Sequence, residues 1–396
     1  MALELVTGNH AAGYALSVAG EANRSARGAV CGIYPITPQT EIVEYVAKFP
    51  FTKGRVVPVE SEHSAMGVSI GASLAGARAF TASSSNGLAY MTENIMVAGF
   101  YRLPIVMVAV NRTLGPPWNI WADQGDTLML RDFPWIQFYC EDNQEVLDTT
   151  LLAFRLAEDH RILLPALVAM DAFIISHTQM ETQCPEQEQV DRFLPVLDLP
   201  HRMRQEHPTT MGGLVWPLEG MSQRLEIDEA MARVPEVYEE CRRAFTREFD
   251  RDVGGMIETF GTDDADLVVI TSGTIASTAR EVVRRRRQSG ERIGYIKIKL
   301  YRPFPEAAIV EHCRTAKKLA VLDRNYAAGL GGIFWQDIRA AFQGRRDDLL
   351  IQDYLTGLCG GDVTPVMIDA IIDDLGGRRE AGSPMWMGID AAVEAT

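Results

Sequence analysis

Tyr34-Pro35-Ile36-Thr37-Pro38 decides the fold of this chain. It follows an apolar run at residues 28–33, and three further polar clusters follow such runs at strand-like intervals. Residues 56–59 lead into Glu60-Ser61-Glu62-His63, residues 78–82 into Ser83-Ser84-Ser85-Asn86-Gly87, and residues 105–110 into Asn111-Arg112. In an open α/β sheet, ligands bind outside the carboxyl ends of the strands, so these four clusters are expected to converge on one crevice. That crevice would hold a carboxylate, an arginine and hydroxyls.

Outward from this stretch, the first region keeps the alternation of β-rich and helical segments that a parallel sheet requires. A helix rich in small residues is expected over 8–22, and Thr37 and Pro38 read as the N-cap and first residue of the next helix. The helix expected over 61–77 carries Ala65, Gly67, Gly71, Ala72, Ala75 and Gly76, which suits close approach by another backbone. Across 184–255 the periodicity fades apart from a helix around 227–249, so this segment reads as a connector that wraps the surface or meets a partner. A second α/β unit spans 256–375, with strands over 267–271, 293–300 and 319–322 and a helix over 274–288. Residues 376–396 read as an extended tail, which leaves 1–183 as the first domain.

Composition narrows the function. At 396 residues and 47% hydrophobic content the chain can bury a large core. Its apolar runs are broken well short of the roughly 20 residues a membrane span needs. The start, Met1-Ala2-Leu3-Glu4, has no basic segment ahead of an apolar one, so a cytoplasmic chain is expected. A formal net charge of -15 disfavours nucleic acid, whose binding depends on Lys and Arg at phosphates. The six cysteines lack C-x-x-C or paired spacing and read as ordinary thiols. Any iron–sulfur cluster would therefore sit on another chain. The run Arg284 to Arg287 ends a helix, where cations meet the dipole, and reads as a solvated face. Gly329-Leu330-Gly331-Gly332 reads as a tight turn before a helix, with a phosphate cradle as the alternative.

The motifs then gather into one pattern. Tyr34-Pro35-Ile36-Thr37-Pro38, Glu60-Ser61-Glu62, Phe80-Thr81-Ala82-Ser83-Ser84 and Asn111-Arg112-Thr113 come first. Pro116-Pro117-Trp118-Asn119-Ile120-Trp121 with Asp126, Tyr301-Arg302-Pro303-Phe304-Pro305 and Gly357-Leu358-Cys359-Gly360-Gly361-Asp362 complete it. In this order the chain resembles the α subunit of the 2-oxoacid:ferredoxin oxidoreductases, the thiamine-diphosphate enzymes typified by pyruvate:ferredoxin oxidoreductase. The resemblance implies a pyrimidine-binding thiamine-enzyme domain, an open and mostly parallel sheet with helices on both faces. A second α/β domain resembling the transketolase C-terminal domain would follow it.

It also implies roles. Glu62, with Glu60 as fallback, would hydrogen-bond the aminopyrimidine, and Pro35, Ser84 and Asn86 would join it in binding the cofactor. Arg112 would hold the substrate carboxylate through its planar fork. Thr37 would bond a substrate oxygen, and Leu114 and Gly115 would line the substrate's side chain. No Gly-Asp-Gly segment occurs, so the diphosphate and its Mg²⁺ are expected on a β subunit, and this chain should ligate no metal itself. Iron–sulfur clusters are expected on a ferredoxin-like subunit, a γ-type subunit should complete the hetero-oligomer, and coenzyme A should take the acyl group.

Within the family, an arginine in the Thr37 slot goes with oxalate, so Thr37 argues against a second substrate carboxylate. The stretch Trp121-Ala122-Asp123-Gln124-Gly125-Asp126 lacks the histidine usual in pyruvate-acting members. A bulkier uncharged side chain such as the phenyl of phenylglyoxylate fits, with pyruvate as the alternative. Of the other classes, a non-catalytic structural or regulatory subunit is opposed by the joint presence of Glu62, Thr37 and Arg112. A nicotinamide dehydrogenase is opposed by Gly329-x-Gly331-Gly332, which lacks the G-x-G-x-x-G spacing.

Overall fold

The computed structural model describes residues 2–208 and 210–389. Its first half runs β1 (Ala2–Thr7), α1 (Gly8–Glu21), β2 (Ala29–Ile33), α2 (Thr40–Lys48), β3 (Gly54–Pro58), α3 (Glu62–Leu74), β4 (Arg78–Ser83), α4 (Asn86–Tyr90), α5 (Thr92–Phe100), β5 (Val106–Asn111), α6 (Gly125–Leu128), β6 (Ile136–Cys140), α7 (Asn143–Ala157), β7 (Ala166–Asp171) and β8 (Gln179–Cys184). Helices α8 (Gln187–Phe193) and α9 (Pro217–Phe249) follow. The second half runs β9 (Ile257–Phe260), β10 (Leu267–Thr271), α10 (Ile275–Gln288), β11 (Ile293–Ile298), β12 (Leu300–Arg302), α11 (Glu306–His312), β13 (Lys318–Asp323), α12 (Ile333–Phe342), β14 (Leu350–Leu355), α13 (Pro365–Gly377) and β15 (Met385–Trp386).

The first sheet has the order β12-β6-β7-β5-β4-β2-β3 and is parallel except for β12. Its central strands β5 and β7 are buried along their whole length, as strands covered on both faces must be. Successive β5 side chains divide between two cores. Val106, Val108 and Val110 join the α1 and α7 side, while Met107 and Ala109 join the side of Leu88 and Ile95. Helix α3 does lie close to a neighbouring backbone: a Cβ at Gly32 of β2 would sit 2.2 Å from the Ala65 carbonyl. Glycine there is a steric requirement.

The second sheet, β15-β14-β13-β10-β11-β9, is parallel except for β9. The core containing Met107 and Ala109 continues into it through Ile270, Ile298 and Val321, so the two sheets share one hydrophobic interior. A buried ion cluster also joins them. Lys297 of β11 is fully buried and donates to Glu141 (2.9 Å), Glu145 (2.8 Å) and Glu258 (3.1 Å). Burial alone would depress its ammonium, but the three carboxylates outweigh burial and push its pKa up.

Several expectations need correction. Thr37 is not a helix N-cap: residues 37–39 form a turn, and α2 starts at Thr40. The turn is closed by Gln39 N to Ile36 O (2.8 Å) and tied to β4 by Gln39 Nε2 to Ala82 O (2.7 Å). The strand expected over 293–300 is two strands in two sheets. Lys299 N and Leu300 N both bond Met256 O, and β12 then pairs with β6. The connector is more ordered than its composition suggests, with α8 present and α9 beginning ten residues early at Pro217, a favoured first helical residue. Strand β1 was not foreseen; it pairs antiparallel with β8. Part of the expected tail returns as β15 on the edge of β14, and residues 390–396 lie outside the described residues.

Two smaller questions are settled by partners. The arginines ending α10 face carboxylates: Arg285 meets Asp369, Arg286 meets Asp373 (2.5 Å) and Arg287 meets Asp264 (2.7 Å). The start of α12 is no phosphate cradle, because internal groups take its N–H donors. Gly332 N bonds Asp353 (2.7 Å), Ile333 N bonds Asn325 (2.8 Å), and Phe334 N and Trp335 N bond Asp323 (3.0 and 3.1 Å).

Candidate active site

The four polar clusters meet at the carboxyl ends of β2, β3, β4 and β5. The Thr37 loop sits past β2, with Pro35 and Thr37 exposed. Its carbonyls are held from three directions. Gln39 Nε2 donates to Tyr34 O (3.2 Å), Arg112 Nη1 donates to Thr37 O (2.5 Å), and the buried Asn9 of α1 donates to Pro38 O (2.8 Å). Asn9 was not anticipated; α1 also carries His10, Ser17 and Glu21, and nothing in the sequence sets its amide apart.

Glu62 is the first residue of α3, whose N-cap is Ser61, accepting from Ser64 N (3.2 Å). An acidic group there is favoured by the helix dipole. Glu62 is buried, yet its carboxylate bonds no other described residue. It lies against Gly87, where a Cβ would come within 2.8 Å of Glu62 Oε1 and 2.6 Å of Ser83 Oγ. Ser83 Oγ is itself buried without a partner. Glu60 differs: it is exposed and accepts from Ser64 Oγ (2.7 Å), a bond that holds its carboxyl below the ordinary range.

Arg112 is buried at the end of β5, and its Nε has no hydrogen-bond partner among the described residues. Burial lowers its pKa while Asp126 and Glu62 oppose that shift, so Glu62 and Arg112 share one electrostatic environment. Thr37, Glu62 and Arg112 therefore bring an exposed hydroxyl, an unpaired carboxylate and a partly unpaired guanidinium to one place. Ser84 and Asn86 do not present free groups. Ser84 Oγ donates to Val110 O (2.7 Å), and the Asn86 amide clamps the Gly115 peptide from both sides (3.0 and 3.1 Å). Gly115 must be small, since a Cβ would approach the Trp118 ring at 2.9 Å.

Asp126 organises this end of the sheet. Fully buried, it accepts from Ser85 N (2.8 Å), Arg112 N (3.0 Å) and Asn111 Nδ2 (2.7 Å), tying β4 to β5. Ser85 holds φ 50°, an uncommon value for a residue with a side chain, and donates to Thr113 O (2.5 Å). Burial pushes the Asp126 carboxyl up to about 7 despite the three bonds that oppose it. A carboxyl raised in the fold keeps its proton where the unfolded chain has lost it, so the stability it contributes is present at acid pH and is lost as pH rises from about 4 to about 7. Asp126→Asn should therefore gain on the wild type as pH rises from 5 to 8, measured as urea midpoints. Parallel pH profiles would show that Asp126 ionises freely in the fold.

The loop past Arg112 docks on the second half of the chain. Asn119 Nδ2 donates to Cys359 O (3.1 Å), Gly360 N to Ala122 O (2.8 Å) and Gln124 N to Arg324 O (2.9 Å). Between them lies an open cavity of about 610 Å³ lined by Leu114, Pro116, Pro117, Trp118, Tyr326 and Cys359, among others. All six cysteines are free, and only Cys359 is exposed.

Two family models match successive parts of the chain. Residues 21–243 match the family model described as pyruvate flavodoxin/ferredoxin oxidoreductase, thiamine diphosphate-binding. Residues 265–368 match pyruvate:ferredoxin oxidoreductase core domain II. The chain is 39% identical over 400 residues to pyruvate synthase subunit PorA of Methanothermobacter thermautotrophicus, covering 100% of both chains. It is 41% identical over 384 residues to ketoisovalerate oxidoreductase subunit VorA of Pyrococcus abyssi, covering 96% of this chain and 95% of that one. In fold it resembles the 2-oxoglutarate:ferredoxin oxidoreductase of Magnetococcus marinus (TM-score 0.72, 23% identity), over 94% of this chain and 65% of that one. It also resembles a split-gene transketolase (TM-score 0.56, 12% identity), over 93% of this chain and 98% of that one. No helix among the described residues is long and apolar enough to cross a membrane. The chain belongs to the 2-oxoacid:ferredoxin oxidoreductase family, and its first half carries that family's thiamine-diphosphate-binding domain.

Proposed function

We propose that this chain is the pyrimidine-side α subunit of a cytoplasmic, multi-subunit 2-oxoacid:acceptor oxidoreductase. The assembly would convert a 2-oxoacid and coenzyme A to acyl-CoA and carbon dioxide. The observation that carries this reading is Glu62, a buried carboxylate with no hydrogen-bond partner among the described residues, beside an Arg112 whose Nε likewise has none among them. Two such groups facing one crevice suit a ligand that supplies a ring nitrogen to one and a carboxylate to the other.

The residues present fit the pyrimidine end of thiamine diphosphate, which when bound supplies the carbon nucleophile that decarboxylation of a 2-oxoacid needs. Glu62 would hold a proton at the pyrimidine N1′, and Gly87 leaves the room that its side chain requires. Pro35 would contribute contact surface, while Ser84 and Asn86 act by fixing the strand ends and the Gly115 loop. Arg112 would take the substrate carboxylate and the Thr37 hydroxyl a substrate oxygen, with Leu114 and Gly115 beside its side chain. The Mg²⁺ and diphosphate belong on a β subunit, since this sequence has no Gly-Asp-Gly. Iron–sulfur clusters belong on a ferredoxin-like subunit, with a γ-type subunit completing the assembly. The relatives named as subunits support such an assembly.

The apolar lining contributed by Leu114, Pro116, Pro117 and Trp118 favours a monocarboxylic substrate with an uncharged side chain bulkier than methyl, the class that includes ketoisovalerate and phenylglyoxylate. Pyruvate is the second reading, favoured by relatives named as pyruvate synthase subunits. Pyruvate, ketoisovalerate, phenylglyoxylate and 2-oxoglutarate should be assayed with coenzyme A and a viologen dye on the intact complex and on this chain alone. Turnover is expected only from the complex, with 2-oxoglutarate the poorest substrate. Turnover by the isolated chain would overturn the split site, and a preference for 2-oxoglutarate would overturn the substrate class.

A further inference from the structure

Helix α9 carries two apolar faces. At roughly 100° per residue, its buried Ile227, Ala230, Val234, Tyr238, Cys241 and Phe245 form one stripe against the body of the chain. Leu218, Met221 and Leu225 form a second stripe roughly opposite, and they are 77%, 70% and 58% exposed. Leu214 and Trp216 (77% exposed) extend this stripe at the helix entrance. A surface helix ordinarily has one apolar stripe and a polar back, and contiguous exposed apolar residues of this size mark an interaction site.

The arm is already built. Trp216 N bonds Glu219 Oε2 (2.9 Å) at the helix start, and the Arg224 guanidinium lies 3.5 Å over the Phe100 ring at its base. A helix ordered before association loses less entropy on binding. The spacing 218, 221, 225 is the i, i+3, i+7 pattern of a helix laid in a groove.

Charge selects the occupant. Between Pro217 and Glu229 the exposed charges are Glu219, Glu226, Asp228 and Glu229 against the single cation Arg224. A second copy of this chain would bring the same acidic rim and another net charge of -15 to the contact, and such like-charge juxtaposition is unfavourable. We propose that the first third of α9 is a docking arm that inserts into an apolar, Lys/Arg-rimmed groove on a different subunit of the assembly. This rests on the proposed function, because it requires companion chains.

The test uses the purified complex. Leu218→Glu with Met221→Glu places two charges on exposed positions, so the thermal melt of the isolated chain should match wild type. Native mass spectrometry should show one companion chain lost, with its dissociation constant raised at least tenfold. Gln223→Glu, on the side of the same helix opposite the stripe, should leave the complex assembled. Asp228→Lys with Glu229→Lys should also weaken the companion. Retention of every companion by the Leu218→Glu, Met221→Glu complex while it still oxidises 2-oxoacids would overturn the arm and leave the proposed function standing. Conversion of a wild-type homodimer to monomer with all companions retained would also overturn it, in favour of a second copy. An altered melt together with a lost companion would assign the stripe to folding and likewise overturn the proposal.

Discussion

Glu62→Gln in the assembled complex is expected to slow hydrogen–deuterium exchange at the thiazolium C2 of bound thiamine diphosphate by on the order of 10²–10⁴, the usual contribution of a positioned acid–base group. The carboxyl is buried against Gly87 and bonds no described residue, so it is available to a ligand nitrogen. An amide has the same shape but cannot carry a transferable proton. The fold should survive, because α3 is capped by Ser61 and not by Glu62. Subunit association, measured by size-exclusion chromatography, should therefore be unchanged. Wild-type exchange in the variant would remove Glu62 from the chemistry, and would favour the non-catalytic subunit reading. Glu60→Gln serves as the control. Exposed and bonded to Ser64, Glu60 should matter little, and a defect there instead would pass the role to it.

Arg112→Lys is expected to lower kcat/KM for the best 2-oxoacid by roughly 10- to 150-fold. The figure comes from about 1.5–3 kcal/mol for hydrogen bonds to a charged group, at about 1.4 kcal/mol per decade. Lysine keeps the charge but loses the planar fork, and Nη1 of that fork already holds the Thr37 carbonyl. The loop and the substrate would thus lose their shared anchor together. The KM for coenzyme A should hardly move. An unchanged kcat/KM for the 2-oxoacid would show that Arg112 only braces the Thr37 loop.

Much of the site was legible because each candidate residue stands just past an apolar run. The strand period fixes which residues reach the carboxyl edge. That period brought Glu60, Glu62 and Arg112 to the edge, and the resemblance chose Glu62 over Glu60 and gave Arg112 its role. Asp126 was visible within the motif but not as an organiser, because nothing in one dimension shows that a carboxylate at the start of a one-turn helix turns back to the amides of β4 and β5. Asn9 was invisible for the same reason. Ser84 and Asn86 show the converse: hydroxyl and amide in the right cluster, yet both bonded to backbone.

The sequence by itself determined the alternation of strands and helices, the parallel sheet, the two α/β halves and the edge on which the polar clusters fall. These depend on hydrophobic period and on residues such as Ser61 that begin helices, and such signals are local. Only the tertiary structure decided which polar groups are left over. Whether Glu62 is free and Ser84 is not, whether β12 joins the first sheet, and whether α9 shows a second apolar face all depend on partners distant in the chain. A hydrogen bond or a buried contact belongs to two places in the sequence at once, and only folding brings them together.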